Sequence, residues 1–164
     1  MLEKVKVTST EIDELVSVIK EVWPEAFVPI IGQAQVDYML ATYQSKQQIE
    51  KEVAEGVQYF LLKEQGQTVG YTAYEVIASK IYLSKLYLMN QFRGKGLTSA
   101  LFQWYETIAR EQGGIKEIFL RVNQGNAQAI AVYLHQGFEM AGELISDIGQ
   151  GFQMVDYQMK KRLA

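Results

Sequence analysis

Two stretches of this chain hold residues whose types and spacing could do chemistry. The first is Gln91-Phe92-Arg93-Gly94-Lys95-Gly96-Leu97-Thr98, between a run that reads as strand and one that reads as helix. Free N–H groups at a helix start point the same way, and the helix dipole adds partial positive charge there. Gly94 and Gly96 let the backbone approach a ligand closely. Arg93 and Lys95 add two cations and Thr98 a hydroxyl donor, so the chemistry is that of a diphosphate site. An ordinary glycine-containing turn with solvated basic residues is the alternative, and the loop alone leaves the two even. It is not a Walker loop, because no Gly-Lys-Ser/Thr follows at the required spacing. It is not a dinucleotide fingerprint either, because the third glycine is missing.

The second stretch is Asn126 to Gly137. Tyr133 lies seven residues after Asn126 and three after Ile130, so a helix puts all three on one face. A tyrosine, with a pKa near 10, can donate a hydrogen bond or a proton to a group on that face. A core tyrosine that packs its helix on a sheet fits the same spacing.

The rest of the chain supplies elements to position these groups. Val5 and Val7 read as a first strand. Thr8 and Glu11 form a capping-box pattern, and Ile12, Leu15, Val16 and Ile19 recur at helical spacing. That helix is expected to end near Trp23, since Pro24 disfavours helical geometry before it. Val36, Met39, Leu40 and Tyr43 mark a second helix, and Ser45 caps a third that ends at Gly56. Strands at Tyr59 to Lys63 and Thr68 to Ile77 flank a polar turn, as in a hairpin. Lys80 to Met89 is apolar on both faces and is expected to be central. After the loop comes a helix with a buried stripe at Leu97, Ala100, Leu101, Trp104, Ile108 and Ala109. A strand at Ile115 to Val122, the Tyr133 helix, and strands at Phe138 to Glu143 and Gln153 to Lys160 complete an α/β (α+β) order. Such open sheets bind ligands beyond the C-terminal ends of their strands.

Composition narrows the classes. The 164 residues suit a single domain, 1–164, and 48% apolar with 21% charged residues is ordinary globular usage. A net charge of −3 gives no electrostatic support to nucleic-acid binding. The chain has no cysteine and one histidine, His135, which excludes a thiolate zinc site, a cysteine nucleophile and a histidine-rich metal centre. No signal peptide or membrane span is evident, so no membrane partner is expected and a cytoplasmic protein is the default.

The stretch Leu86 to Gly96, Leu-Tyr-Leu-Met-Asn-Gln-Phe-Arg-Gly-Lys-Gly, resembles motif A of the GNAT superfamily of N-acetyltransferases. About thirty residues on, Asn126-Ala127-Gln128-Ala129-Ile130-Ala131-Val132-Tyr133-Leu134-His135-Gln136-Gly137-Phe138 resembles its motif B. The resemblance spans nearly the whole chain. More narrowly, the N-terminal half and the tail from Asp156 to Lys160 look similar to bacterial spermidine/spermine N-acetyltransferases.

What the resemblance implies is a central mixed sheet with helices on both faces and central strands that splay apart near Met89 and Val122. It implies acetyl-coenzyme A as cosubstrate and no metal. Leu88 and Met89 would offer backbone groups to the pantetheine amides, Gln91 and Arg93 to Thr98 would hold the pyrophosphate, and Asn126 would bond the pantetheine arm. A backbone N–H near Leu88 would polarise the thioester carbonyl, and Tyr133 would serve the sulfur. The acceptor would be a small-molecule amine, polyamines included, with a lean toward a homodimer. Acetylation of a peptide or protein, and a coenzyme A-binding sensor without turnover, stay open beside it.

Acetyl transfer needs a neutral amine. Neutralising a lysine-like amine at pH 7 costs roughly 4–5 kcal/mol, so a base, a desolvating pocket or a water relay must help. Many relatives carry a glutamate on the strand before motif A, but Tyr82-Leu83-Ser84-Lys85-Leu86 has none. A water relay is expected, with Ser84 holding a water and Glu75 on the neighbouring strand. Two residues past Tyr133, His135 turns to another helix face and reads as a surface residue. Trp23, Tyr38 and Tyr43 could wall a cation site or fill the core. Glu25, Asp37, Glu139 and Asp147 could steer a cation or simply face solvent.

Overall fold

The computed structural model describes residues 1–163. The elements run β1 (Leu2–Lys6), α1 (Ile12–Ile31), α2 (Gln33–Ala41), α3 (Lys46–Ala54), β2 (Gln58–Glu64), β3 (Gln67–Ile77), β4 (Lys80–Leu88), a 3-10 turn (Asn90–Phe92), α4 (Leu97–Gln112), β5 (Glu117–Asn123), α5 (Ala127–His135), β6 (Glu139–Gly149) and β7 (Phe152–Arg162). The strands order as β1-β2-β3-β4-β5-β7-β6 in one mixed seven-stranded sheet, with β4 at its centre as its apolar pattern predicts. Among the described residues no helix is long and apolar enough to cross a membrane.

The chain falls into two compact units. The first comprises Met1–Glu75 and Lys85–Leu97; the second comprises Val76–Ser84 and the chain from Thr98 onward. In the first unit β1 pairs antiparallel with β2, and β2 with β3. Gln65 and Gly66 both take positive φ at the β2–β3 turn, the geometry that matches strand twist in a two-residue hairpin. In the second unit β4 runs parallel to β5 over Lys80↔Glu117, Ile81↔Ile118 and Tyr82↔Phe119. β5 then pairs antiparallel with β7, and β7 with β6.

Helix α1 departs from expectation. It does not stop at Trp23 but continues through Pro24 and Pro29 to Ile31. Each proline removes a backbone donor from the helix, yet the segment buries Val22, Trp23 and Phe27. Trp23 packs on Phe27 at 4.4 Å, and its indole N–H donates to the Tyr71 hydroxyl at 2.9 Å. Burial of an aromatic pair outweighs the missing donors. The expected cap of α3 is present: the Ser45 hydroxyl accepts the Gln48 N–H at 3.2 Å. The buried stripe of α4 is Leu101, Phe102, Tyr105 and Ala109. Ala100 is exposed and Trp104 half-buried, because bulky Phe102 and Tyr105 turn the helix about a quarter-turn from the expected stripe. Strands β6 and β7 are each 11 residues long; β6 runs six residues past the expected Glu143, and β7 exceeds its expected segment at both ends, since cross-strand bonds carry polar residues along with them.

Candidate cofactor loop and acyl-transfer residues

In the first unit, Met89 donates its N–H to the Val69 carbonyl at 2.8 Å. Leu88 turns its carbonyl the other way, where Arg93 Nε donates to it at 3.2 Å. In an extended strand the N–H and C=O of one residue point to the same side, so the Leu88 N–H also faces the edge away from β3. This N–H is the donor that the resemblance assigns to the thioester carbonyl. The approach of β3 to this edge depends on Gly70, where an added Cβ would collide with the Tyr87 carbonyl oxygen and sit 3.0 Å from Leu88 Cα. A glycine inside a strand pattern was the available signal for such close packing.

The 3-10 turn carries Gln91, which is exposed, into the loop. Gly94 and Gly96 adopt φ of 75° and 78°, a region costly for side-chain-bearing residues. The N–H groups of Gly94, Lys95, Gly96, Leu97 and Thr98 have no acceptor among the described residues. The last two open α4, a 16-residue helix, so its dipole reinforces them. Lys95 is exposed, with its ammonium 5.5 Å from the Phe92 ring.

Arg93 also has partners within the protein. Besides bonding Leu88, it donates to Asn90 Oδ1 at 3.3 Å, and it pairs with Glu25 at 3.7 Å. Its nitrogens tie the end of β4 to α1, which leaves Lys95 and the backbone as the loop's outward-facing positive groups. Glu25, considered as a steering acid, is this arginine's partner. Asp37 and Asp147 accept from Gln33 and Gln153 at 2.8 and 2.9 Å, and Glu139 is exposed.

On β3, Glu75 is half-buried, as is Ser84 on β4. The two residues fall in different units. Tyr38 and Tyr43 make an edge contact at 6.5 Å, and Tyr43 is 41% exposed. A groove of about 520 Å³ lies beside it, bordered by Gln47, Gln48 and Lys51. Lys51 is the charged side chain in that lining, which suits a cationic guest poorly.

In the second unit, Tyr133 sits on α5 against Phe102 and Phe138, at 6.0 and 5.8 Å. Burial pushes its hydroxyl up to about 12, and that hydroxyl has no hydrogen-bond partner among the described residues. Transfer of its proton to a thiolate of pKa about 8.5 is uphill, so donating a hydrogen bond to sulfur suits this tyrosine better than full ionisation. Asn126 caps α5: its Oδ1 accepts the Ala129 N–H at 3.3 Å, and its side-chain NH₂ remains as a donor. His135 is exposed.

A residue that sequence reasoning did not single out stands on β7. Asp156 is 8% exposed and lies directly opposite Asn123, the last residue of β5. Burial raises its pKa, and Arg121 opposes the rise. An acid inside a strand is disfavoured by type, which was the available signal. Among the described residues no group of three or more His, Cys, Asp or Glu side chains could hold a metal.

The comparisons follow this geometry. An uncharacterised N-acetyltransferase of Mycobacterium tuberculosis is 26% identical over 156 residues, covering 94% of this chain and 99% of that one. The PaiA N-acetyltransferase of Thermoplasma acidophilum, solved in complex with coenzyme A, superposes with a TM-score of 0.79 at 20% identity over 99% of each chain. The ribosomal-protein-S18-alanine N-acetyltransferase of Escherichia coli superposes at 0.73 with 16% identity, over 100% of this chain and 95% of that one. At these identities the two structures speak for the fold. Residues 16–138 match the Acetyltransferase (GNAT) family, and with three quarters of its length inside that match, the chain belongs to this family of N-acetyltransferases.

Proposed function

We propose that the protein transfers the acetyl group of acetyl-coenzyme A to a primary amine of a small molecule, by direct attack in a ternary complex. The observation that carries this reading is the run of five backbone N–H groups, Gly94 to Thr98, without acceptors among the described residues at the start of α4. Such a run fits a diphosphate. The coenzyme A bound to the Thermoplasma relative supports the same ligand here. The family match runs through both compact units, which supports reading 1–164 as one catalytic domain.

In this reading Gln91, Lys95 and the Gly94–Thr98 backbone hold the pyrophosphate, while Arg93 fixes the loop's shape. Leu88 and Met89 line the pantetheine, and Asn126 bonds it through its free NH₂. The Leu88 N–H stabilises charge developing on the thioester oxygen. Tyr133 steadies the departing sulfur. Ser84 and Glu75 serve a water relay that carries away the amine's proton. Polyamines head the acceptor classes, on the likeness of the N-terminal half and tail to polyamine acetyltransferases.

Thiol release from acetyl-coenzyme A tests the reading, with a panel of spermidine, spermine, small diamines, aminoglycosides, amino acids and short peptides. Turnover of a small amine is expected. Turnover confined to peptides would move the acceptor class, and tight coenzyme A binding without turnover would favour a sensor. The relay is tested by pH profile: a base-type limb that disappears only in Glu75→Gln would make Glu75 the direct base and remove the relay.

A further inference from the structure

A buried carboxylate in the second unit has no task in the scheme above. Asp156 sits in the middle of β7, 8% exposed, and neither of its oxygens accepts a hydrogen bond among the described residues. Those oxygens are not sealed off, since they are absent from the fully buried, unpartnered atoms. A carboxylate without donors in a half-dry place is costly to keep, so its retention calls for a partner that arrives from outside.

The surroundings state which partner. β5 and β7 pair without a bulge from Glu117↔Arg162 to Asn123↔Asp156, and directly opposed residues share a face. Asp156 therefore shares its face with Asn123, with Arg121 and Phe119 two and four residues back, and with Leu144 across β6. Tyr82 of β4 extends this face: it stacks on Phe119 at 4.8 Å, and the Arg121 guanidinium lies 5.6 Å from its ring. The charged groups that face Asp156 are thus Arg121 alone from β5 and none from the Leu144 position of β6. Arg121 spends its guanidinium on the Tyr82 ring and makes no ion pair with Asp156. The site is a donor-starved anion at the C-terminal end of β5, where open sheets take ligands.

We propose that Asp156 docks the acceptor amine and receives its proton, which makes the acceptor a cationic amine. This deepens the reading of the protein as an amine acetyltransferase and rests on it. The ammonium of the acceptor donates to the carboxylate, a charge-assisted hydrogen bond. One proton passes to Asp156, which takes the place of the Ser84 and Glu75 water relay in the scheme above, and the nitrogen lone pair attacks the thioester carbonyl carbon. The new C–N bond forms as the C–S bond breaks. The sulfur leaves with the bond's electron pair and takes the second proton of the nitrogen. Asp156 then returns its proton to solvent, so an ammonium and a thioester give an amide, a thiol and one proton. Burial suits the carboxylate to this work, because it lifts the carboxyl toward the range where it can hold a proton during turnover.

The test measures kcat/KM for amine acceptors from pH 5.5 to 9 in wild type, Asp156→Asn and Asp156→Glu, with coenzyme A affinity by calorimetry as control. Asp156→Asn is expected to lose about 100-fold or more in kcat/KM and to lose the acid limb of the profile, with coenzyme A affinity within twofold. Asp156→Glu is expected to recover part of the rate and to restore an acid limb. Thermal unfolding separates this from a structural role. A carboxyl whose pKa is raised by folding destabilises the fold at pH above that pKa, so the Asn variant is expected to melt higher than wild type at pH 7.5. An Asn variant that keeps the acid limb with kcat/KM within threefold, or that melts lower and loses rate in step, overturns the proposal. If no amine turns over in wild type, the acetyltransferase reading fails first. Calorimetric binding of spermidine then judges the docking site: binding lost in Asp156→Asn supports it, and binding unchanged overturns it.

Discussion

The loop Gly94 to Thr98 and the face around Asp156 solve opposite problems with opposite materials. The loop is built from backbone, is exposed, and offers donors that lack acceptors. The Asp156 face is built from side chains, is half-buried around a buried carboxylate, and offers an acceptor that lacks donors among the described residues. Backbone donors carry no ionisable proton, so the loop can hold charge over a wide pH range. A carboxylate changes state with pH, and so it alone of the two can move a proton. The difference separates holding from reacting, and each half can be attacked without the other.

The largest effect on coenzyme A affinity is expected at Gly96. Gly96→Val puts a β-branched residue at φ 78°, a strain of about 1–2 kcal/mol that the loop relieves by turning its N–H groups. Coenzyme A affinity by calorimetry should fall at least tenfold, with unfolding temperature little changed and the Asp156-dependent acid limb intact. A variant that binds as wild type would show the loop to be a mere turn.

Next comes Tyr133→Phe. A hydrogen bond to a charged group contributes about 1.5–3 kcal/mol, so kcat should drop roughly 10- to 100-fold with coenzyme A affinity unchanged. Since that hydroxyl has no partner among the described residues, unfolding temperature should hold. The same residue sets a pH expectation. With its hydroxyl pushed up to about 12, Tyr133 stays protonated below that value, so wild-type rates should show no alkaline fall attributable to it under pH 11. An alkaline limb near pH 9 that vanishes in the Phe variant would contradict the assignment.

Smaller effects sharpen the contrast. Arg121→Gln removes the group that opposes the raised pKa of Asp156, so the acid limb of kcat/KM should move to higher pH. Lys95→Ala should weaken coenzyme A binding about threefold at low salt, and the difference should close at 0.5 M salt, as screening predicts for an exposed charge.

What the sequence made legible follows the same division. Gly94, Gly96, Asn126 and Tyr133 could be picked out as candidates because each lies within one loop or at one helix, where spacing along the chain is spacing in space. The Ser45 cap and the central place of β4 were readable for that reason too. Asp156 was not, because its meaning depends on pairing with Asn123, 33 residues earlier in sequence. The double task of Arg93 was hidden likewise, since Glu25 lies far from it along the chain. The helix end was misplaced at Trp23 because a local rule about proline met a tertiary contact, Trp23 to Tyr71, that no local rule contains.

The stitching of Arg93 to Leu88, Asn90 and Glu25 has a consequence in time. A loop whose shape is already fixed by three side-chain contacts has little ordering left to do when its ligand arrives. Stopped-flow mixing with coenzyme A should then give a single phase, with a rate that climbs linearly with concentration and no plateau. Releasing the stitch with Glu25→Gln should bring in a slow second phase that saturates, as the loop begins to search for the shape it now holds at rest.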